Sequence, residues 1–162
     1  MTVSQAIQNA ERCLCNKEAP EGQRDPRWQA IIEVSEYIGP YPNEIWRFTR
    51  KWGVHPNADL RTAVAKYLLE HLLEHHFELI FPRVVVACRR SGRFADTFTR
   101  CGEFGQTKTP RNVKRFRALK KRLNKIRPPK RRENNQLKHR LAEFEAEIAA
   151  RKCPGMPISI NF

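Results

Sequence analysis

No stretch of this 162-residue chain approaches the roughly 18–20 consecutive apolar residues that a helix needs to span a bilayer. The N-terminus, MTVSQAIQNAERCLCNKE, is too polar for a signal peptide, so a cytoplasmic location without a membrane partner is expected. Cysteine is sparse: the five residues Cys13, Cys15, Cys88, Cys101 and Cys153 are odd in number and scattered, giving neither a disulfide framework nor a zinc spacing. Free thiols are therefore expected, and the close pair Cys13-x-Cys15 is accounted for by burial more simply than by redox or soft-metal chemistry. A glycine-rich phosphate loop, a nucleophile elbow and a Cys/His set at ligand spacing are all missing. These absences point to a non-enzymatic protein without a cofactor.

What is present is a foldable chain with its charge unevenly spread. With 40% hydrophobic and 30% charged residues, it can bury a core. Residues 1 to 102 carry 14 basic and 12 acidic side chains, whereas residues 103 to 162 carry 17 and 5, which together give the net +14. A near-neutral body with a basic end is the composition expected when one end meets a polyanion.

Helical signals run through the body. Thr2 and Gln5 have the form of a capping box, followed by Val3, Ala6, Ile7, Ala10 and Leu14 at helical spacing. Asp25-Pro26 reads as an N-cap and first-turn proline, with Trp28, Ile31, Ile32 and Ile38 on one face before Gly39, Pro40 and Pro42 stop that helix. Asn43 is placed to cap a short helix striped by Ile45, Phe48, Thr49 and Trp52, with Arg47, Arg50 and Lys51 facing elsewhere. A turn at residues 55–59 leads into a long helix, Leu60 to Phe81, which Pro82 is expected to end, kink or restart. Val84-Val85-Val86 has strand propensity but no partner strand, so a buried helix is expected there.

Shifting the sequence by 34 residues aligns Asp25-Pro26-Arg27 with Asp59-Leu60-Arg61, Val34 with Leu68, Glu36 with Glu70 and Ile38 with Leu72. The run Asp59-Leu60-Arg61-Thr62-Ala63-Val64-Ala65 resembles the start of a HEAT-type repeat, over about residues 25–90 and extending to 126. The resemblance implies an all-α fold, a short α-solenoid in which Asp25, Arg27, Asp59 and Arg61 order the turns. It leaves function open among protein binding, nucleic-acid binding and base removal. The expected organisation is a helical-repeat domain over residues 1–126, followed by a basic linker, C-terminal helix and tail over 127–162.

From Thr107 to Arg132, 13 of 26 residues are Lys or Arg and none is acidic. Residues 112–126 form an amphipathic helix with Val113, Phe116, Leu119, Leu123 and Ile126 on its docking side. The candidate phosphate contacts are Lys108, Arg111, Lys114, Arg115, Arg117, Lys120, Lys121, Arg122, Lys125, Arg127, Lys130, Arg131 and Arg132. Self-repulsion within such a run is a cost unless a polyanion relieves it; the competing reading is a solvated helix face or an acidic protein partner. Residues 133–151 place Leu137, Leu141, Phe144 and Ile148 on a short coiled-coil-like seam. A bZIP-like fork is excluded, because Pro128-Pro129 breaks the continuous helix it requires.

The body carries two further motifs. His71-Leu72-Leu73-Glu74-His75 matches the H-x-x-E-H pattern of inverted zinc peptidases, in which His71 and His75 would bind metal and Glu74 act as base. Those enzymes are much larger, and a third ligand such as Glu143 or Glu147 is needed; the alternative is a polar helix boundary, and no metal is expected. Of the three tryptophans, Trp28 and Trp52 lie on apolar stripes and read as core, while Trp46 falls off its stripe and reads as exposed. The function expected is a helical module contacting nucleic-acid phosphates, DNA or RNA, through its basic segment. The alternative is a protein-interaction adaptor or subunit of a larger bacterial assembly.

Overall fold

In the computed structural model, the chain divides into two units, Met1–Pro128 and Pro129–Phe162. The structure describes residues 1–126 apart from 21, together with 141, 142 and 145. All regular structure among the described residues is helical, and no helix there is long and apolar enough to cross a membrane. The expected seam falls outside the described residues except for Leu141, which is helical and half-buried.

Helix α1 (Val3–Leu14) starts on the capping box: the Gln5 N–H donates to Thr2 Oγ1 at 3.3 Å and the Thr2 N–H donates to Gln5 Oε1 at 2.8 Å. Ala6, Ala10 and Leu14 are buried along one stripe, packed against α2 (Pro26–Ser35). Asp25 caps α2 by accepting the Arg27 N–H at 2.9 Å. Helix α3 (Pro42–Trp52) begins two residues earlier than an Asn43 cap would allow. Pro42 sets the first turn and Tyr41 is the N-cap, while the Asn43 side chain accepts from Arg83 Nη1 at 2.9 Å. Gly53 ends α3 with ordinary φ, and glycine is needed there for space. A Cβ would stand 2.8 Å from the Thr49 carbonyl oxygen and 2.9 Å from the Phe94 ring.

The central element is one long path: α4 (Ala58–Ala63), a π-helical turn (Val64–Leu69) and α5 (Glu70–Arg90). Leu60, Ala63, Val64, Leu68 and Leu72 are fully buried along it. Pro82 does not interrupt α5; the backbone instead leaves helical geometry at His76, with φ −137° and ψ 44°. Val84 is buried and helical as expected, whereas Val86 is 44% exposed. Helix α6 (Gly92–Thr99) folds back along α5, and a 3₁₀ turn (Gly105–Lys108) leads into α7 (Pro110–Ile126). Phe77 stacks on Phe81 with centroids 4.7 Å apart, Phe81 meets Phe98 edge-on, and Phe98 meets Phe116 at 4.9 Å. This row of rings carries the docking of α6 and α7.

Two clusters of charge tie distant turns. Arg27 pairs with Asp25 at 2.6 Å and lies 3.9 Å from Asp59, which also accepts from Trp28 Nε1 at 2.9 Å. Arg61 pairs with Asp96 at 2.8 Å and donates to the carbonyls of His55 and Pro56, while Arg100 pairs with the same carboxylate at 3.0 Å. Arg27, Asp25, Asp59 and Arg61 are all buried, so they serve the interior rather than a binding face.

Candidate nucleic-acid interface

Helix α7 combines an inward apolar side with an outward basic one. Asn112, Phe116 and Leu119 are buried; Val113 and Leu123 are half-buried. Ile126, expected on the docking side, is 69% exposed, so burial along α7 ends before its last turn.

The nine basic residues of the run that lie among the described residues divide into two groups. Three are engaged with the body. Arg115 is half-buried, donates through Nη1 to both Glu78 carboxylate oxygens at 2.9 and 3.0 Å, and lies over the rings of Phe77 and Phe81 at 5.4 and 5.0 Å. Arg117 forms a two-pronged pair with Glu103, both contacts at 2.7 Å. That pairing holds the Glu103 carboxyl below the usual range. Lys120 donates to the Cys101 carbonyl at 2.7 Å, just beyond the C-terminal end of α6. Burial, with Lys66 nearby, pushes its ammonium below the ordinary lysine value.

The other six, Lys108, Arg111, Lys114, Lys121, Arg122 and Lys125, are exposed and have no carboxylate partner among the described residues. At 3.6 residues per turn, Arg111, Lys114, Lys121, Arg122 and Lys125 share an arc of roughly 100°, running about 21 Å along the axis. The small side chain of Ala118 sits in the middle of that arc and leaves the cations free to approach a flat or convex surface. Beside it, Arg117, Lys120, Lys121, Asn124 and Lys125 line an open depression. Arg127, Lys130, Arg131 and Arg132 lie outside the described residues.

Reading the sequence as a neutral body with a basic end passed over a second group of exposed cations. Arg122 is close enough to Cys88 for its charge to act on that thiol, which burial pushes up to about 12. Arg89 and Arg90, next in the chain, and Arg93 are exposed. The signal available was the basic cluster Arg89-Arg90-x-x-Arg93, which the balanced charge of residues 1 to 102 conceals.

Trp28 and Trp52 are buried as expected, but so is Trp46, 6% exposed and edge-on to Phe94, which arrives from α6. The thiols of Cys13, Cys15, Cys88 and Cys101 are free, but burial does not account for the close pair, since Cys13 is half-buried and Cys15 exposed. His71, Glu74 and His75 bring one ligand atom each within 4.8 Å of one another at the solvent face of α5. No known protein family, curated protein or solved structure is matched by this chain.

Proposed function

We propose that the chain is a non-enzymatic binding module that contacts the phosphates of nucleic acid through the outward face of α7. The observation that carries this reading is the one-sided stripe of Arg111, Lys114, Lys121, Arg122 and Lys125. The carboxylates nearest to α7, Glu78 and Glu103, are already taken by Arg115 and Arg117. Unneutralised charge of one sign on a docked, rigid helix is relieved by a polyanion and recognises backbone rather than base. The expected binding is therefore strongly salt-dependent and weakly sequence-dependent.

The repeat reading of the body belongs to this proposal. It is supported by the Arg27–Asp59 and Arg61–Asp96 pairs, whose arginines stand 34 residues apart and each reach a carboxylate on a later helix. A cytoplasmic location is part of it too, and buried free thiols at Cys88 and Cys101 fit a reducing compartment. A titration of labelled duplex and single-stranded oligonucleotides with the full chain, followed by fluorescence anisotropy at low salt, tests the reading. Association with either is expected, and no measurable association with DNA or RNA defeats it. An adaptor role is favoured by a separate observation, the exposed apolar residues Leu79, Pro82 and Val86 along α5. It becomes the better account if a partner protein is captured from nuclease-treated extract.

A further inference from the structure

A second concentration of chemistry lies on α5. His71, Glu74 and His75 stand at positions i, i+3 and i+4 and so share one helix face. Nδ1 of His71 is 3.2 Å from Glu74 Oε2, and Nε2 of His75 is 3.8 Å from the same oxygen. The two imidazoles are tilted by 30° with centroids 6.5 Å apart. Their side chains are 46% and 56% exposed against 28% for the carboxylate, which leaves room for water to complete a coordination sphere.

The turn carrying these groups is held by a different part of the chain. Gly105 packs onto Glu74 so tightly that a Cβ would fall 2.6 Å from its Cγ and 2.8 Å from its carbonyl oxygen. Gln106 then bridges the break at His76: its Nε2 donates to the His75 carbonyl at 2.7 Å, and its Oε1 accepts the Phe77 N–H at 2.9 Å. The stem of Glu74 and the backbone of His75 are thus fixed before any ion arrives.

We infer that His71, Glu74 and His75 form a binding site for a divalent transition-metal ion of the zinc type. Two imidazoles and a carboxylate are a ligand set such ions accept, with water in the remaining position. In the peptidase reading of the same motif the glutamate stands off the metal as a base; here its Oε2 lies 3.2 and 3.8 Å from the two imidazole nitrogens, near enough to be assigned as the third ligand. A bound ion would clip the turn immediately ahead of the break at His76 and stabilise the folded chain, because the unfolded chain does not hold the three groups together.

The test is a zinc titration of the full chain, followed by nitrogen-15 shifts of the imidazoles, with thermal unfolding measured in parallel. The resonances of His71 and His75 should move and saturate at a single ion per chain, those of His55 and His76 should stay, and the melting temperature should rise. His71→Asn, His75→Asn and Glu74→Gln should each weaken binding by roughly tenfold or more, while melting like the parent without zinc. Zinc that binds but leaves His71 and His75 unmoved, as thiol ligation at Cys13 and Cys15 would, overturns the inference. So does the absence of binding, or a Glu74→Gln chain that binds as tightly as the parent.

Discussion

Replacing Lys114, Lys121 and Lys125 together by glutamine should halve the charge that the described part of the basic run offers to phosphate. Six exposed cations, one phosphate each, give a slope of log K against log salt near −5 on duplex, from about −0.9 per contact. Raising salt from about 50 to 200 mM then weakens binding roughly a thousandfold. With three contacts left, the slope falls to about −3 and the same salt step costs only about fortyfold. Any contacts from Arg127, Lys130, Arg131 and Arg132 steepen both slopes equally, so the difference between the two proteins is the diagnostic quantity.

The comparison that gives this force is Arg117→Gln. It also removes one charge from α7, but a charge already held at 2.7 Å by Glu103, so its salt slope should stay close to the parent's. All four positions face solvent, where substitutions change stability by no more than about 0.5 kcal/mol, and circular dichroism would verify the fold. Anisotropy of a labelled duplex across the salt range supplies the slopes. A triple variant with the parent's slope, or an Arg117→Gln slope that falls as far as the triple variant's, refutes the division into paired and available cations.

Three further outcomes follow from the packing. Phe116→Ala empties the space against Phe98 under α7 and should cost about 3–5 kcal/mol in urea unfolding; a loss below about 1 kcal/mol would mean that α7 is not docked as described. Gln106→Ala strips the break at His76 of two hydrogen bonds and should cost roughly 1–3 kcal/mol, with faster amide exchange at Phe77 as the local readout. Burial alone would raise the carboxyls of Asp25 and Asp96, but hydrogen bonds and charge from Arg27, and from Arg61 and Arg100, hold both below the ordinary aspartate value. A depressed folded value stabilises above the unfolded one and is lost as pH falls through it, so stability should drop below about pH 4. Asp96→Asn should flatten that acid limb, and an unchanged limb would remove Asp96 from its cause.

Much of the helical framework is legible where the determining groups are neighbours in sequence. Thr2 and Gln5 cap each other across three residues, Asp25 reaches the Arg27 N–H, and the apolar spacing of Phe116 and Leu119 orients α7. The reading fails where the deciding partner is remote. Nothing near His76 announces a break, because the group that makes it tolerable is Gln106, 29 residues beyond Phe77. Pro82 draws the eye but sits at an exposed position inside α5, where water can satisfy the carbonyl it frees. Trp46 lies off the stripe of its own helix and is buried only because α6 brings Phe94 against it.

The same distinction governs the basic run, and it alters what the charge means. Between Thr107 and Arg132 the sequence holds no acid, so each lysine and arginine there has equal standing as a phosphate contact. In space, Glu78 from α5 and Glu103 from the loop before the 3₁₀ turn reach into the run and each claim an arginine. The Cys101 carbonyl claims Lys120. These three contacts seat α7 on the body, and what they leave outward is a narrower stripe with less charge than the sequence count implies. On the proposed reading their value to binding is indirect: by fixing the helix they would let the available cations meet a polyanion already aligned, with little conformational freedom lost on contact. Breaking the Arg115–Glu78 pair by Arg115→Gln should therefore weaken affinity while leaving the salt slope intact, which distinguishes a residue that positions the face from one that belongs to it.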